Sequence, residues 1–257
     1  MKQYQGYLID LDGTTYYGKK RITSAEIFIR SLIQKDVPFQ FVTNNATRSP
    51  EQIAAVLNES YDLPVTSDYV YSSAQAMIDY LKEHHVDEKI YCIGEPPLHT
   101  LIEESGLTLV QDTSAEVVVQ ALNRQVDYQD LTIAVQAILN GATFITTNKD
   151  RLIPTESGLQ PSSGATTAFI EYATGVTALT MGKPFTPIVE GAMDRLNLPK
   201  DQLLLIGDNY QTDIQAGINI GMDTLLVLTG VTNPEDIATF PTPPTYVVRD
   251  LSEWKNQ

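Results

Sequence analysis

A single cysteine, Cys92, stands in 257 residues. No disulfide can form within the chain, and the reducing cytoplasm is the expected compartment. Long apolar runs are missing as well. None approaches the roughly 20 residues that a membrane-spanning helix needs. The opening Met1-Lys2-Gln3-Tyr4-Gln5-Gly6 leads into a short apolar stretch without the features of a signal peptide. Positive charge is scarce: 17 Lys and Arg face 32 Asp and Glu, for a formal charge of −15. Such a surface repels nucleic acid and anionic membranes, so neither is expected as a partner. It repels phosphate esters too, so any phosphate site must supply local positive charge from a lysine or a metal ion. The three histidines, His84, His85 and His99, have no metal-ligand spacing and read as surface or packing residues. No Gly-x-Gly-x-x-Gly follows the first apolar run, which argues against a dinucleotide-binding enzyme.

What is present is the composition of a globular protein, 42% hydrophobic and 19% charged. Gly6-Tyr7-Leu8-Ile9-Asp10 is an apolar run ending in an acid and reads as a buried strand. A helix is expected over Ser24–Lys35, with Ile27, Leu32 and Ile33 on one face. Phe39-Gln40-Phe41-Val42 is a second strand, followed by a polar turn and a helix from near Pro50. Leu203–Ile206, Thr224–Leu228 and Tyr246–Val248 are further strands, the last preceded by the stiff Pro241-Thr242-Pro243-Pro244. Strands alternating with helices predict an α/β fold, a doubly wound parallel sheet covered on both faces. In such sheets ligands bind beyond the carboxyl ends of the strands. Asp10, Thr43 and Asp208 stand at or just past such ends. The middle of the chain has its own rhythm of strands (89–94, 117–119, 143–146) and helices (near 97–105 and 128–140). It predicts a second α/β domain at 80–178, inserted between core segments 1–79 and 179–257.

Four short segments carry candidate chemistry. In Asp10-Leu11-Asp12-Gly13-Thr14, residues two apart on an extended chain point to the same side, so Asp10 and Asp12 can face one site while Leu11 enters the core. Paired carboxylates need a cation between them or a proton on one of them. Gly13 permits close backbone approach to a ligand. A strand end with two solvated acids is the plainer alternative. In Gly207-Asp208-Asn209-Tyr210-Gln211-Thr212-Asp213-Ile214, Asp208 is a candidate ligand for a hard cation such as magnesium. Asp213 can hold a metal-bound water or orient a lysine, or simply favour a helix N-terminus. Gly182-Lys183-Pro184 places a lysine in a constrained turn before a helix at Thr186–Leu196, as a point charge for phosphate oxygen or as a solvated turn residue. It is no Walker loop, since Thr177 stands where the first glycine belongs. Val42-Thr43-Asn44-Asn45 offers a hydroxyl and backbone N–H groups for phosphate, or an ordinary helix cap. The combination is what points to one site: acid pair, hydroxyl, lysine and second acid pair, in that order.

With these segments the chain resembles the haloacid dehalogenase (HAD) superfamily of phosphatases. Asp10–Thr14 matches its DxDGT motif, Thr43 its second motif, Lys183 its third, and Asp208 with Asp213 its fourth. Val42–Asn45, Gly182–Pro184 and Gly207–Ile214 narrow the resemblance to the NagD and p-nitrophenylphosphatase-like subfamily. The resemblance implies a Rossmann-like core with an inserted α/β cap, and a magnesium-dependent phosphatase acting on a small phosphorylated metabolite. It implies Asp10 as nucleophile, forming an aspartyl phosphate, and Asp12 as general acid and base. It also implies Mg2+ held by the Asp10 carboxylate, the Asp12 backbone carbonyl and Asp208, with Gly13 and Asp213 in support. Thr43, the Asn44 backbone and Lys183 would hold the phosphoryl oxygens. Thr146-Thr147-Asn148-Lys149-Asp150 resembles the family's TNxD loop, making Thr147 and Asn148 candidates for substrate contact, or merely a hydrogen-bonded turn. Pro161-Ser162-Ser163-Gly164 departs from the family's Pro-Gly-x-Gly, and serine does not take positive φ as cheaply as glycine.

Three other readings are open at this point. A dehalogenase on the same fold typically lacks the second motif aspartate and needs no magnesium, which Asp12 and Asp208 argue against. A phosphotransferase would pass the phosphoryl group to an alcohol instead of water. A non-catalytic binder of phosphorylated metabolites would have no need of an acid at position 12. The substrate and the formation of homo-oligomers are not readable.

Overall fold

The computed structural model describes residues 2–155 and 157–254. The chain divides into two compact units. The first comprises Met1–Thr43, Pro50–Tyr71 and Lys183–Gln257; the second comprises Asn44–Ser49 and Ser72–Gly182.

The first unit is built on a six-stranded sheet. Its order is Tyr246–Val248, Asp223–Val227, Leu203–Gly207, Gly6–Ile9, Phe39–Thr43, Val70–Ser72. Gly6–Ile9 lies at the centre and pairs in parallel with both Leu203–Ile206 and Phe39–Phe41. Every residue of Gly6–Ile9, Phe39–Thr43 and Leu203–Gly207 is buried, which is why these strands are apolar almost throughout, Gln40 and Thr43 being the polar exceptions. Full burial of a Leu, Ile or Phe side chain contributes roughly 1.5–3 kcal/mol. One face packs Tyr7, Ile9, Phe41 and Ile206 with Phe28, Ile29 and Leu32 of the helix Thr23–Gln34. That helix buries Ala25, Glu26, Phe28, Ile29 and Leu32, whereas Ile27 is 61% exposed. The expected face built on Ile27 is therefore wrong. Ile27 and Leu32 are five positions apart, about 140° around the helix, whereas Ala25, Phe28, Ile29 and Leu32 keep the three-and-four spacing of one stripe.

Going outward from the central strand, the chain runs to Phe39–Thr43 on one side and returns at Leu203–Gly207 on the other. This reversal of direction opens a crevice at the carboxyl ends of the strands, the usual ligand position in an open α/β sheet. A two-stranded hairpin, Tyr16–Tyr17 with Lys20–Arg21, follows the central strand.

The second unit has its own parallel sheet, ordered Leu179–Thr180, Thr143–Thr146, Val117–Gln120, Lys89–Ile93, Thr108–Leu109. Tyr91, Ile93, Val118 and Phe144 pack with Ala134, Ala137 and Ile138 of the helix Tyr128–Leu139 and with Ile170 of the helix Ser163–Thr174. The helix Ser73–His84 opens with a reciprocal capping box between Ser72 and Gln75. Ser162 is the N-cap of the helix Ser163–Thr174 at φ −107°, so this position makes no demand for glycine. His84 and His85 lie against Tyr80, and His85 Nδ1 is 2.9 Å from Glu88, a packing role as expected. Both sheets are flanked by helices, so the fold is α/β with parallel sheets. No helix among the described residues is long and apolar enough to cross a membrane.

Candidate active site

Asp10 directly follows the central strand and prolongs it, its N–H donating to Ile206 carbonyl oxygen at 2.9 Å. Leu11 turns into the core and is 2% exposed. Its carbonyl oxygen accepts from the N–H groups of Thr14, Thr15 and Tyr16, which closes a tight turn. Thr15 Oγ1 donates to Asp10 carbonyl oxygen at 2.8 Å. Backbone bonds thus hold Asp10 at the mouth of the crevice.

Asp208 follows the adjacent strand, Leu203–Gly207. Its Oδ1 accepts from Thr14 Oγ1 at 3.0 Å and its Oδ2 from Val231 N–H at 2.7 Å. Asp213 sits in a wide π turn, Tyr210–Ile214, that opens the helix Gln215–Ile220. Its Oδ2 accepts from Asn209 N–H at 3.1 Å. Such turns are frequent at functional sites. The carboxylates of Asp10, Asp208 and Asp213 are all buried, with ligand atoms within 4.8 Å of one another.

Lys183 is 2% exposed, and its ammonium offers three donors to the oxygens around it. Nζ donates to Asp10 Oδ1 at 2.5 Å and to Val42 carbonyl oxygen at 2.7 Å, and lies 2.7 Å from Asp213 Oδ1. Burial alone would lower the lysine, but the Asp10 and Asp213 charges and hydrogen bonds outweigh it and hold Lys183 above its ordinary value. The carboxyls respond the other way. Burial and the charges of Asp213 and Asp208 raise Asp10 well above the carboxylate range, against the pull of Lys183. Burial and the Asp213 charge raise Asp208 to about 7, although Val231 N–H, the Thr14 hydroxyl and Lys183 oppose the shift. Three buried carboxylates against one ammonium leave two negative charges uncompensated when all are ionised. A hard divalent cation fits this donor set: it prefers carboxylate oxygen and supplies the missing charge.

Glycine is required around Asp208. Gly13 has φ +98°, and a Cβ there would lie 2.3 Å from Asp208 Oδ2. A Cβ on Gly230 would lie 2.0 Å from the same atom. The sequence reading included Gly13 and had Thr14 in the first motif without a role, but missed Gly230 and the Val231 N–H. Their signal was positional, since Gly230 and Val231 closely follow the strand Asp223–Val227 at the same end of the sheet.

The expected site residues are distributed as follows. Asp10, Asp208, Asp213 and Lys183 converge. Thr43 ends its strand and is 7% exposed. The Asp12 carboxylate is exposed and stands outside the group of three, accepting from Gly18 N–H at 3.0 Å. Asn44, Thr147 and Asn148 belong to the second unit. Thr147 is fully buried. Asn148 Nδ2 donates to Asn44 carbonyl oxygen at 2.9 Å, and Asn148 Oδ1 accepts from Asp150 N–H at 3.1 Å. Asn44 Nδ2 donates to the Asp150 carboxylate at 3.1 and 3.2 Å. The loop 147–150 is thereby tied to residue 44 within that unit.

Fold and site together define an α/β protein of the parallel-sheet type, with an acidic cluster and a buried lysine at the strand ends. A family model described as haloacid dehalogenase-like hydrolase matches residues 7–108, and one described as HAD-hydrolase-like matches residues 180–254. The 5'-nucleotidase YutF of Bacillus subtilis is 44% identical over 254 residues, 99% of this chain and 98% of that protein. An acid sugar phosphatase of Staphylococcus aureus is 44% identical over 253 residues, 98% of this chain and 97% of that one. The solved structure of a mutant thermostable p-nitrophenylphosphatase from Bacillus stearothermophilus superposes with a TM-score of 0.90 at 44% identity over the whole of both chains. The chain belongs to the haloacid dehalogenase-like hydrolases.

Proposed function

We propose that this phosphoric monoester hydrolase works through an aspartyl phosphate on Asp10, with magnesium, on small phosphorylated metabolites of the nucleotide, sugar phosphate or p-nitrophenyl phosphate type. The observation that carries the reading is the convergence of Asp10, Asp208, Asp213 and Lys183 where the strands of the first unit end. The relatives' names, a nucleotidase, a sugar phosphatase and a p-nitrophenylphosphatase, support the substrate classes.

Asp10 attacks phosphorus in line, forming the carboxyl–phosphorus bond as the bond to the leaving oxygen breaks. Asp12 gives its proton to that oxygen, so the leaving group departs as a neutral alcohol. It then takes a proton from water, which attacks the phosphorus of the intermediate and releases inorganic phosphate, regenerating the Asp10 carboxylate. Lys183 keeps the attacking carboxylate oriented and offsets charge on the phosphoryl oxygens, where the Thr43 hydroxyl donates as well. The Asp10 and Asp208 carboxylates and the Asp12 backbone carbonyl would hold magnesium, with Asp213 in support through Lys183. When bound, the cation lowers the raised carboxyls so that Asp10 is ionised at neutral pH.

Phosphate release from p-nitrophenyl phosphate, nucleoside monophosphates and sugar phosphates is expected with magnesium, is lost with EDTA, and returns with added magnesium. Absence of release from every ester in the presence of magnesium would overturn the reading. A pH effect accompanies the metal. In the metal-free protein Asp208 is raised from 3.8 to about 7. The folded state therefore holds more protons than the unfolded state across that window, and the cluster's contribution to stability declines as pH rises through it. Magnesium replaces those protons, so it should raise Tm more at about pH 8 than at about pH 5. Equal shifts at the two values would contradict the assignment.

A further inference from the structure

The hairpin after the first motif is fastened by the final residue of one helix. The helix Pro50–Tyr61 ends in Tyr61, which is 4% exposed. Tyr61 hydroxyl donates to Gly18 carbonyl oxygen at 2.7 Å. Its ring stacks on Tyr16, with centroids 4.6 Å apart and planes 10° from parallel. Its carbonyl oxygen accepts from Arg21 Nη2 at 3.3 Å, and Arg21 is held in turn by a two-pronged bond to Glu26 at 2.7 and 2.7 Å. Tyr16, Gly18 and Arg21 span the hairpin, so one tyrosine grips its first strand, its tip and its second strand. The tip then reaches back: Gly18 N–H donates to Asp12 Oδ1 at 3.0 Å. Asp12 is exposed, and this is a fixed backbone donor on its carboxylate.

We infer that Tyr61 is a positioning residue for Asp12, holding Gly18 so that its N–H fixes the rotamer of the acid that protonates the leaving group. The inference rests on the reading of Asp12 as that acid. No part of the first motif contains Tyr61, which lies 43 residues beyond Gly18 and is brought to it only by the fold. The carbonyl and N–H of Gly18 belong to adjacent peptide planes, and the pairing of Tyr17 with Lys20 across the turn restricts the φ and ψ that join them, so anchoring one constrains the other. A carboxylate free to rotate spends less time in transfer geometry, and general-acid catalysis falls in proportion.

The effect has a signature that loss of structure lacks. An alkoxide needs a proton to leave, whereas p-nitrophenolate leaves without one. In Tyr61→Phe the ring stack remains and only the hydroxyl is lost. The ratio of kcat/KM for an alkyl phosphate to kcat/KM for p-nitrophenyl phosphate is expected to fall roughly tenfold, a fraction of the 10²–10⁴ that a general acid supplies. In the Asp12→Asn background, adding Tyr61→Phe should leave that ratio unchanged, because the group on which it acts is gone. Equal losses on both esters, or no loss, in Tyr61→Phe would overturn the inference while Asp12→Asn alone still lowers the ratio. If Asp12→Asn itself leaves the ratio unchanged, the acid assignment fails and the inference falls with it. Should Tyr61→Phe prove unstable, an ester in place of the Tyr17–Gly18 amide (glycolic acid at position 18) deletes the N–H while leaving the backbone free to keep φ +58°, which proline could not. This variant must also lower the ratio, and an unchanged ratio counts against the inference.

Discussion

Replacing Asp10 by Asn is expected to reduce phosphate release by on the order of 10⁴-fold or more, the scale seen when a covalent nucleophile is removed. The amide cannot attack phosphorus, so no acyl phosphate forms and the two-step route closes. The fold should survive. Lys183 keeps two of its partners, Val42 carbonyl oxygen and Asp213. The site also loses one of three crowded carboxyls, the one that burial and its acidic neighbours already disfavour as an anion. Circular dichroism and Tm should therefore match the parent within a few degrees. A variant that keeps even a tenth of the parent turnover, with the introduced amide shown by mass spectrometry not to have hydrolysed, would remove Asp10 from the mechanism.

The largest stability effect is expected at Lys183. Lys183→Met keeps much of the apolar stem but leaves Asp10 and Asp213 buried without their ammonium partner. Breaking a buried ion pair from one side costs about 3–5 kcal/mol, because the remaining charge is uncompensated. The sign with pH follows from the groups involved. Lys183 is raised above 10.5 in the folded state, so its contribution is fully present below that value and is lost only as pH rises through the higher folded one. The abandoned carboxyls escape part of the penalty by taking protons, which costs least in acid. Urea denaturation of the metal-free proteins should show the full gap at about pH 8 and a smaller one at about pH 5. Turnover should also fall, by about 10²–10³, from the loss of charge stabilisation at the phosphoryl oxygens. Wild-type stability in Lys183→Met at the higher pH would mean that the buried pairs do not hold this site together.

The parts of the fold that were legible in the sequence share one physical property. Gly6–Ile9, Phe39–Thr43 and Leu203–Gly207 are buried on both faces, so apolar residues fill nearly every position, Gln40 and Thr43 excepted, and no register has to be guessed. Elements that escaped notice lack that constraint. The hairpin Tyr16–Tyr17 with Lys20–Arg21 is two residues a side and largely exposed. The hairpin Leu152–Thr155 with Gly158–Pro161 is likewise written in residues that suit many loops. Helix Ser73–His84 did carry a signal, the Ser72 and Gln75 capping box, that was not used. In the helix Thr23–Gln34, grouping Ile27 with Leu32 misjudged the period by one position.

The site divides in the same way. Asp10, Asp208, Asp213 and Lys183 were legible because each sits at the end of an apolar run or in a constrained turn, and chemistry narrows what such residues do there. Their arrangement was less so. Lys183 bonds directly to Asp10 and Asp213 at 2.5 and 2.7 Å, a contact between segments far apart in the chain that no local pattern encodes. Gly230 matters through the space it leaves beside Asp208, which only packing reveals. The concern that Ser162 would need positive φ dissolved for a related reason: the local backbone is extended there and serves as a helix cap. Tyr61 is the extreme case, an ordinary helix-end tyrosine until the fold sets its hydroxyl on Gly18.

The most direct test is to catch the phosphoryl group on the protein. Enzyme mixed with excess phosphate ester and magnesium, then quenched in acid within the first turnover and digested, should yield a phosphorylated peptide whose modification maps to Asp10. Label on another side chain, or inversion in place of retention at an isotopically chiral phosphorus, would show that a different nucleophile is used or that water attacks the ester directly.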